Sequence, residues 1–432
     1  MKEGDDDFAS VYRSSKPGKH QTGLYKVFCS FVLIYRDNFE EISLDVSLAK
    51  TILDTISSNR DEMIFLLERL VLAESPSTDP DAQAKIQRIL IEQLQQLDYE
   101  VHHFSGKTTG GYLVARPAGA DVSQPSQLLL GHCDTVWPSG ILTSMPFSIE
   151  ANIIRGPGVF DMKGGLTQMI FALKSLLEIR LVPLLTPIIL INSDEEIGSV
   201  ESESRIIDLA KEVERVYVLE PALGQSGKLK TARKGVGRFK IRVIGRAAHA
   251  GLDPEKGISA ILELSYIIQR LFAMNDYDKG ICVNVGLVEG GLRSNVVAPT
   301  SSAVVDVRVP TLEAAGKLEQ EILSLEPTLA GVSISIEGNI DRPPLERTPA
   351  NQQLWHKAHN MGKALDLNLE EGLAGGASDG NLTSQYAATL DGLGAVGDGA
   401  HANHEFIFLD KMVERSALLA LLLLAPVHEQ LD

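Results

Sequence analysis

Cysteine is scarce in this chain: Cys29, Cys133 and Cys282 are the only three in 432 residues. Thiols so few and so widely separated suggest neither a disulfide framework nor a zinc–thiolate cluster. Positive charge is also short, since 40 Lys and Arg face 57 Asp and Glu and leave a formal net charge of −17. No basic stripe or tail offsets that balance, which argues against a nucleic-acid phosphate backbone as partner. Long apolar runs are missing too. The stretches 27–35 and 418–424 fall well short of the roughly 20 residues that a membrane span needs. The second reads as the buried face of a final helix. No internal repeat or low-complexity tract is present. Aliphatic residues are plentiful and charged ones ordinary, so the chain reads as a soluble, cytoplasmic globular protein with room for two cores.

Residues 1–47 are the least legible. An acidic cluster at 3–7 gives way to basic and polar residues through 21, then to the apolar run 27–35. That run could pass for a signal-peptide core, but the acidic start and the lack of a small-residue cleavage site oppose it. The expectation is an N-terminal extension, poorly ordered and outside the functional unit.

The informative stretches are apolar runs that end abruptly in acid. Leu128-Leu129-Leu130-Gly131 leads into His132-Cys133-Asp134-Thr135-Val136. Positions i and i+2 of a strand share a face, so His132 and Asp134 can serve one site while Cys133 packs on the other side. One imidazole nitrogen could bind a metal while the carboxylate accepts from the other. Residues 187–192 read as a buried strand that ends in Ser193-Asp194-Glu195-Glu196, and 216–219 as another that ends in Glu220-Pro221. A glycine-rich loop carrying Asp161, 156–165, precedes a helical pattern over 166–178. Near the C-terminus, His401 and His404 lie in a flexible, glycine-containing setting. A single acidic cluster is ordinarily a solvated loop. Several of them at the carboxyl ends of strands, joined by histidines, fit parallel strands that deliver functional groups to one edge.

From 237 the pattern changes. Residues 238–246 alternate like a half-buried strand, and 258–272 has helical periodicity. Residues 281–288 and 301–309 read as strands, 312–325 as a helix and 332–336 as a strand. This β-α-β-β-α-β order suggests a ferredoxin-like insert. The organisation expected is an extension at 1–47, a catalytic domain over 48–234 resuming at 341–432, and an inserted domain at 235–340.

With these motifs in place, the chain resembles the aminoacylase and glutamate carboxypeptidase family of di-zinc hydrolases, and within it the folate-cleaving carboxypeptidase G type. The H-x-D-T-V element falls on 132–136, the bridging-aspartate loop on 160–165, the D-E-E element on 194–196 and the E-P element on 220–221, in the family's order. The lid histidine falls on His249. The resemblance implies an α/β fold: a zinc-peptidase-like catalytic domain with a mixed, largely parallel central sheet and helices on both faces. To this it adds an inserted ferredoxin-like α+β domain that acts as lid and dimerisation surface, so a homodimer is expected. It implies that Asp161 bridges two metals, that His132 and Glu220 complete one ion, and that Glu196 and His401 complete the other. Glu195 would be the general base and Asp134 would orient His132. The family's closing motif has its ligand four residues before a glutamate, which selects His401 ahead of Glu405. The carboxypeptidase G type spaces this element slightly differently, and His404 stays as the alternative. A cis peptide between Asp161 and Met162 is also implied. His249, Asn295, Arg308, Gly375 and Gly376 match positions tied to substrate, and Arg342 is an extra cation suited to a glutamate side chain or, alternatively, to a hinge salt bridge.

Histidine nitrogen with carboxylate oxygen suits two zinc ions, with cobalt or manganese as substitutes. The expected reaction is hydrolysis that frees a C-terminal, glutamate-like amino acid from a small peptide or N-acyl conjugate. An N-acyl amino acid deacylase or dipeptidase is the alternative within the family. A non-catalytic metal-binding protein is the alternative from another class.

Overall fold

The computed structural model describes residues 46–426. The expected extension, the run 27–35 and Cys29 lie almost wholly outside these residues; only positions 46 and 47 of the extension are described, and they begin a helix. In chain order the first half of the described residues runs α1 (Val46–Ser58), α2 (Arg60–Leu72), α3 (Pro80–Gln96), β1 (Tyr99–Phe104), β2 (Tyr112–Pro117), β3 (Ser126–His132), β4 (Ser148–Glu150), β5 (Ile153–Arg155), α4 (Gly164–Glu178), β6 (Thr186–Asn192), α5 (Glu203–Glu212), β7 (Arg215–Val218) and β8 (Leu229–Arg233). Local chemistry sets several boundaries. Helix α3 begins with Pro80 behind Asp79, whose side chain accepts from the Ala82 amide at 3.0 Å, and so satisfies a donor the helix leaves free.

The central sheet has the order β1-β2-β6-β3-β7-β14, where β14 is the late strand Ala388–Leu390. Strands β6, β3, β7 and β14 run parallel, and β1 and β2 close one edge antiparallel. Strand β3 is buried along its whole length, which is why its sequence is a continuous apolar run rather than an alternating one. Leu129 and Cys133 join the core on one face; Leu128 and Leu130 join the core on the other, with Ile206 and Leu209 of α5. Helices therefore cover both faces.

Helix α4 can lie close to the end of β7 only because it opens on glycine. A Cβ at Gly165 would overlap the Leu219 carbonyl oxygen. The final helix spans Leu409–Leu424, and six consecutive residues, 418–423, are all buried. The sequence reading gave this helix one buried face. The structure encloses its second half, 415–423, on every side, and the helix packs against α4, α1 and the helix Pro349–Ala364.

The segment between β8 and the return to the central sheet forms a separate antiparallel layer. It comprises β9 (Gly235–Ile244), α6 (Ala260–Ala273), β10 (Cys282–Gly290), β11 (Thr300–Val309), α7 (Leu312–Leu323) and β12 (Ser333–Arg342). The strand order β10-β11-β9-β12, with every pairing antiparallel, is the ferredoxin-like arrangement. Alternation builds it: Phe239, Ile241 and Val243 point inward from β9 and meet Ala303, Val305 and Val307 of β11 in a core of their own under α6 and α7. The chain crosses twice between the layers, at neighbouring points. Arg233 pairs with Leu345 as an isolated bridge, and Val236 pairs with Arg342. The remaining elements are α8 (Pro349–Ala364), β13 (Glu371–Ala374), α9 (Asp379–Thr383), β14, β15 (Gly397–Asp398), β16 (Phe406–Phe408) and α10 (Leu409–Leu424). Among the described residues, no helix is long and apolar enough to cross a membrane.

Candidate metal centre

Three neighbouring parallel strands deliver their carboxyl ends to one place. Strand β3 ends at His132, with Asp134 following; β6 ends just before the turn Glu195–Ile197; β7 ends two residues before Glu220. Asp161 comes from the glycine-rich loop, which turns at Gly158 with a φ of +75° and contains a cis peptide between Asp161 and Met162. His401 comes from the turn between β15 and β16 and has a φ of 59°, in the left-handed region.

Asp161 sits at the centre. Its Oδ1 lies 3.2 Å from His132 Nε2, and its Oδ2 lies 3.5 Å from His401 Nε2. Glu220 Oε1 approaches His132 Nε2 at 3.4 Å, and Glu196 Oε2 approaches His401 Nε2 at 3.0 Å. The arrangement is thus two donor groups that share one aspartate. His404 does not join it; its electrostatic neighbour is Asp398.

Asp134, fully buried, faces His132 Nδ1 at 3.3 Å and also accepts the backbone amides of Glu195 and Glu196, each at 3.3 Å. One carboxylate therefore fixes both the imidazole and the turn that carries the two glutamates. Asp194, beside them, accepts the Glu201 and Ser202 amides and the Ser202 hydroxyl and closes the loop into α5.

The electrostatics of this cluster call for added positive charge. Burial and the Glu220 charge push Glu195 well above its ordinary carboxyl range, and burial raises Glu196 as well. Burial works against a charged His132, yet its hydrogen bonds to Asp134, Asp161 and Glu220 raise it well above the usual imidazole value. Burial opposes ionisation of Asp161 in the same way, but contacts with His132 and His401 hold it far below the carboxylate norm. Glu196 Oε1 is buried with no hydrogen-bond partner. A buried carboxylate oxygen with no partner is costly unless a cation meets it. The donor set of histidine nitrogen and carboxylate oxygen is what a divalent zinc-type ion takes.

The residues expected at the substrate lie on a separate set of loops. His249 and Asn295 are neighbours: the Ala250 amide donates to the Asn295 carbonyl at 3.0 Å. His249 Nδ1 accepts from the Gly251 and Leu252 amides at 3.1 and 3.2 Å, so the proton of its neutral ring is assigned to Nε2. Arg308 spends two donors on Asp306, at 2.9 and 3.0 Å. Arg342 pairs with Asp379 at 3.3 Å. An ion pair is what the second of the two sequence readings of Arg342 expects. A Cβ added at Gly375 or Gly376 would meet nothing, so this turn is open to the surroundings. Among the described residues, the hydrogen bonds and ion pairs of His249, Asn295, Arg308 and Arg342 do not reach the His132–His401 cluster. Beside Glu196 a cavity of about 350 Å³ opens between Ser77, Thr135, Val136 and Ile197.

From sequence, Glu405 was named only as the glutamate that marks His401, and Arg233 and Lys230 were not singled out. Glu405, 1 % exposed, accepts the Gly158, Phe160 and Asp161 amides and the Trp137 indole N–H, and so holds the aspartate loop. Burial pushes its carboxyl up to about 7. Arg233 and Lys230 lie behind Glu220, at 2.9 and 3.8 Å. Two basic residues in a buried strand were the only available signal.

The fold and the shared-aspartate cluster define a dinuclear metal hydrolase. The sequence profile of Peptidase family M20/M25/M40 matches residues 128–425, and the chain belongs to that family. Carboxypeptidase G2 of Pseudomonas sp. (strain RS-16) is 28% identical over 370 residues, 84% of this chain and 88% of its own. N-acetyl-L-citrulline deacetylase of Xanthomonas campestris pv. campestris is 25% identical over 308 residues, 67% of this chain and 78% of its own. Among solved structures, an M20 family metallo-carboxypeptidase from Sulfolobus solfataricus superposes with a TM-score of 0.63 at 17% identity, covering 84% of this chain and 98% of that one. The aminopeptidase PepT from Bacillus cereus superposes with a TM-score of 0.69 at 21% identity, over 84% and 98%. The chain is thus a metallohydrolase of the M20 family, similar to carboxypeptidase G2.

Proposed function

We propose that this chain is a two-metal carboxypeptidase that releases a C-terminal, glutamate-like amino acid from a peptide or N-acyl conjugate. The observation that carries the reading is Asp161, whose two oxygens face two different histidines, each with its own glutamate. His132, Glu220 and Asp161 would hold one ion, and His401, Glu196 and Asp161 the other, with zinc the expected metal and cobalt or manganese as substitutes. When bound, such a pair supplies a polarised scissile carbonyl and an acidified attacking water.

The chain's own residues supply the rest. Glu195 stands beside Glu196 and has a raised affinity for protons, which suits it to take a proton from water and pass it to the leaving nitrogen. Asp134 keeps the His132 ring in orientation. His249, with its proton on Nε2, is a donor suited to the developing oxyanion once the inserted layer covers the substrate. Asn295, Arg308 and the Gly375–Gly376 turn would receive the substrate's α-carboxylate, and Arg342 an acidic side chain. Similarity to carboxypeptidase G2 over most of both chains supports this choice. Similarity to N-acetyl-L-citrulline deacetylase keeps an N-acyl amino acid deacylase as the second reading.

A homodimer through the inserted layer is part of the proposal. Strand β10 is an edge of its sheet, Leu287 and Val288 on it are exposed, and Val288 lines one open hollow together with Ile261 of α6. A hydrolysis screen of the zinc-loaded protein tests the substrate reading. Acyl-glutamate and folate-like conjugates should be cleaved faster than dipeptides, acetylornithine and succinyl-diaminopimelate. Faster cleavage of any of these competitors would overturn the carboxypeptidase assignment.

A further inference from the structure

Arg233 is the last residue of β8, immediately before the chain leaves for the inserted layer, and its side chain is 4 % exposed. A guanidinium has five N–H donors, and here all five have partners. Nε donates to Asp391 Oδ2 at 2.7 Å, and Nη2 to Asp391 Oδ1 at 3.2 Å and to Glu220 Oε2 at 2.9 Å. Nη1 donates to the carbonyls of Gly376 at 3.1 Å and Ala377 at 3.2 Å. Asp391 is itself fully buried and takes the Ser378 hydroxyl at 2.6 Å, so the fork is anchored on both sides.

The division of Glu220 is the important detail. Its Oε2 is taken by Arg233, while Oε1 faces His132. With one oxygen held, the other has a single direction in which to offer its lone pairs. The same guanidinium grips the turn 376–377, which comes from a part of the chain more than 140 residues away.

We propose that Arg233 is a positioning residue that locks Glu220 for one ion of the pair and couples that ion's site to the glycine turn. The proposal rests on the two-metal reading of the site. Removal of the fork would leave Glu220 Oε2 only the longer Lys230 ion pair at 3.8 Å, loosen the aim of Oε1 and release the turn at the same time. Lysine keeps the charge but has three donors on a point-like head and cannot span three separate partners.

The test is Arg233→Lys, read by competition titration of the metal-free protein against a chromophoric zinc chelator. One zinc constant should weaken by about 10–100-fold, the usual cost of losing a group that orients a ligand, while the other stays unchanged. In kinetics, kcat lost at limiting zinc should return at higher zinc, whereas a raised KM should persist because the turn stays loose. Both zinc constants within twofold of wild type in folded Arg233→Lys would overturn the proposal. If Arg233→Lys does not fold, Asp391→Asn removes the charge of the other anchor at equal size and should weaken the same constant; an unchanged constant there overturns the proposal equally. Wild-type protein that binds fewer than two zinc ions would count against the two-metal reading instead.

Discussion

The backbone amide of Glu195 donates to Asp134 at 3.3 Å, and that carboxylate also faces His132 Nδ1. The proposed base and a proposed ligand therefore share one support. A loss of Asp134 would disturb both, whereas a change confined to the Glu195 carboxyl leaves the frame in place. Glu195→Gln should keep its metal content and lower kcat by about 10²–10⁴-fold, the usual contribution of a positioned base. Metal analysis and turnover of this variant check the assignment, and near-normal turnover would remove it.

The two C-terminal histidines should behave differently. His401 meets Asp161 and Glu196, whereas His404 is exposed and apart from them. His401→Ala should lose one ion and most activity, and His404→Ala should keep both ions. The reverse pattern in metal analysis would transfer the role to His404.

His249 lies on the inserted layer, and with Nδ1 accepting from two amides its ring proton is assigned to Nε2. Loss of a donor to a developing oxyanion typically costs about 10²–10³ in kcat. His249→Ala should fall in that range with zinc content intact. An unchanged kcat would mark His249 as a turn residue only.

Arg342 gives the sharpest reading of substrate choice. It has one carboxylate partner, Asp379, among its ion pairs, and a guanidinium has further donors to offer. If it reads a glutamate side chain, Arg342→Ala will slow acyl-glutamate cleavage much more than acyl-alanine cleavage. Equal losses on both substrates would reduce Arg342 to its ion pair with Asp379.

Much of the centre was legible because its residues follow apolar strands at once. His132, Glu196 and Glu220 stand where runs of Leu, Ile and Val stop, and parallel strands bring such stops to one edge. The alternation of β9 and β11 made the inserted layer legible in the same way. Arg233, Asp391 and the hold of Glu405 on the aspartate loop were not legible. Their partners lie 158 and 245 residues away for Arg233–Asp391 and Glu405–Phe160, and no local period marks such pairings. The enclosure of α10 was hidden for a related reason: a leucine-rich helix shows that it is buried but not by how many neighbours.

The most direct test of the account is the number of zinc ions bound by metal-free protein, counted by titration in wild type and in Asp161→Asn. The account predicts two per wild-type chain and weakened binding of both in the variant, because each ion shares the same aspartate. A single ion in wild type, or two ions bound by Asp161→Asn with wild-type affinity, would contradict it.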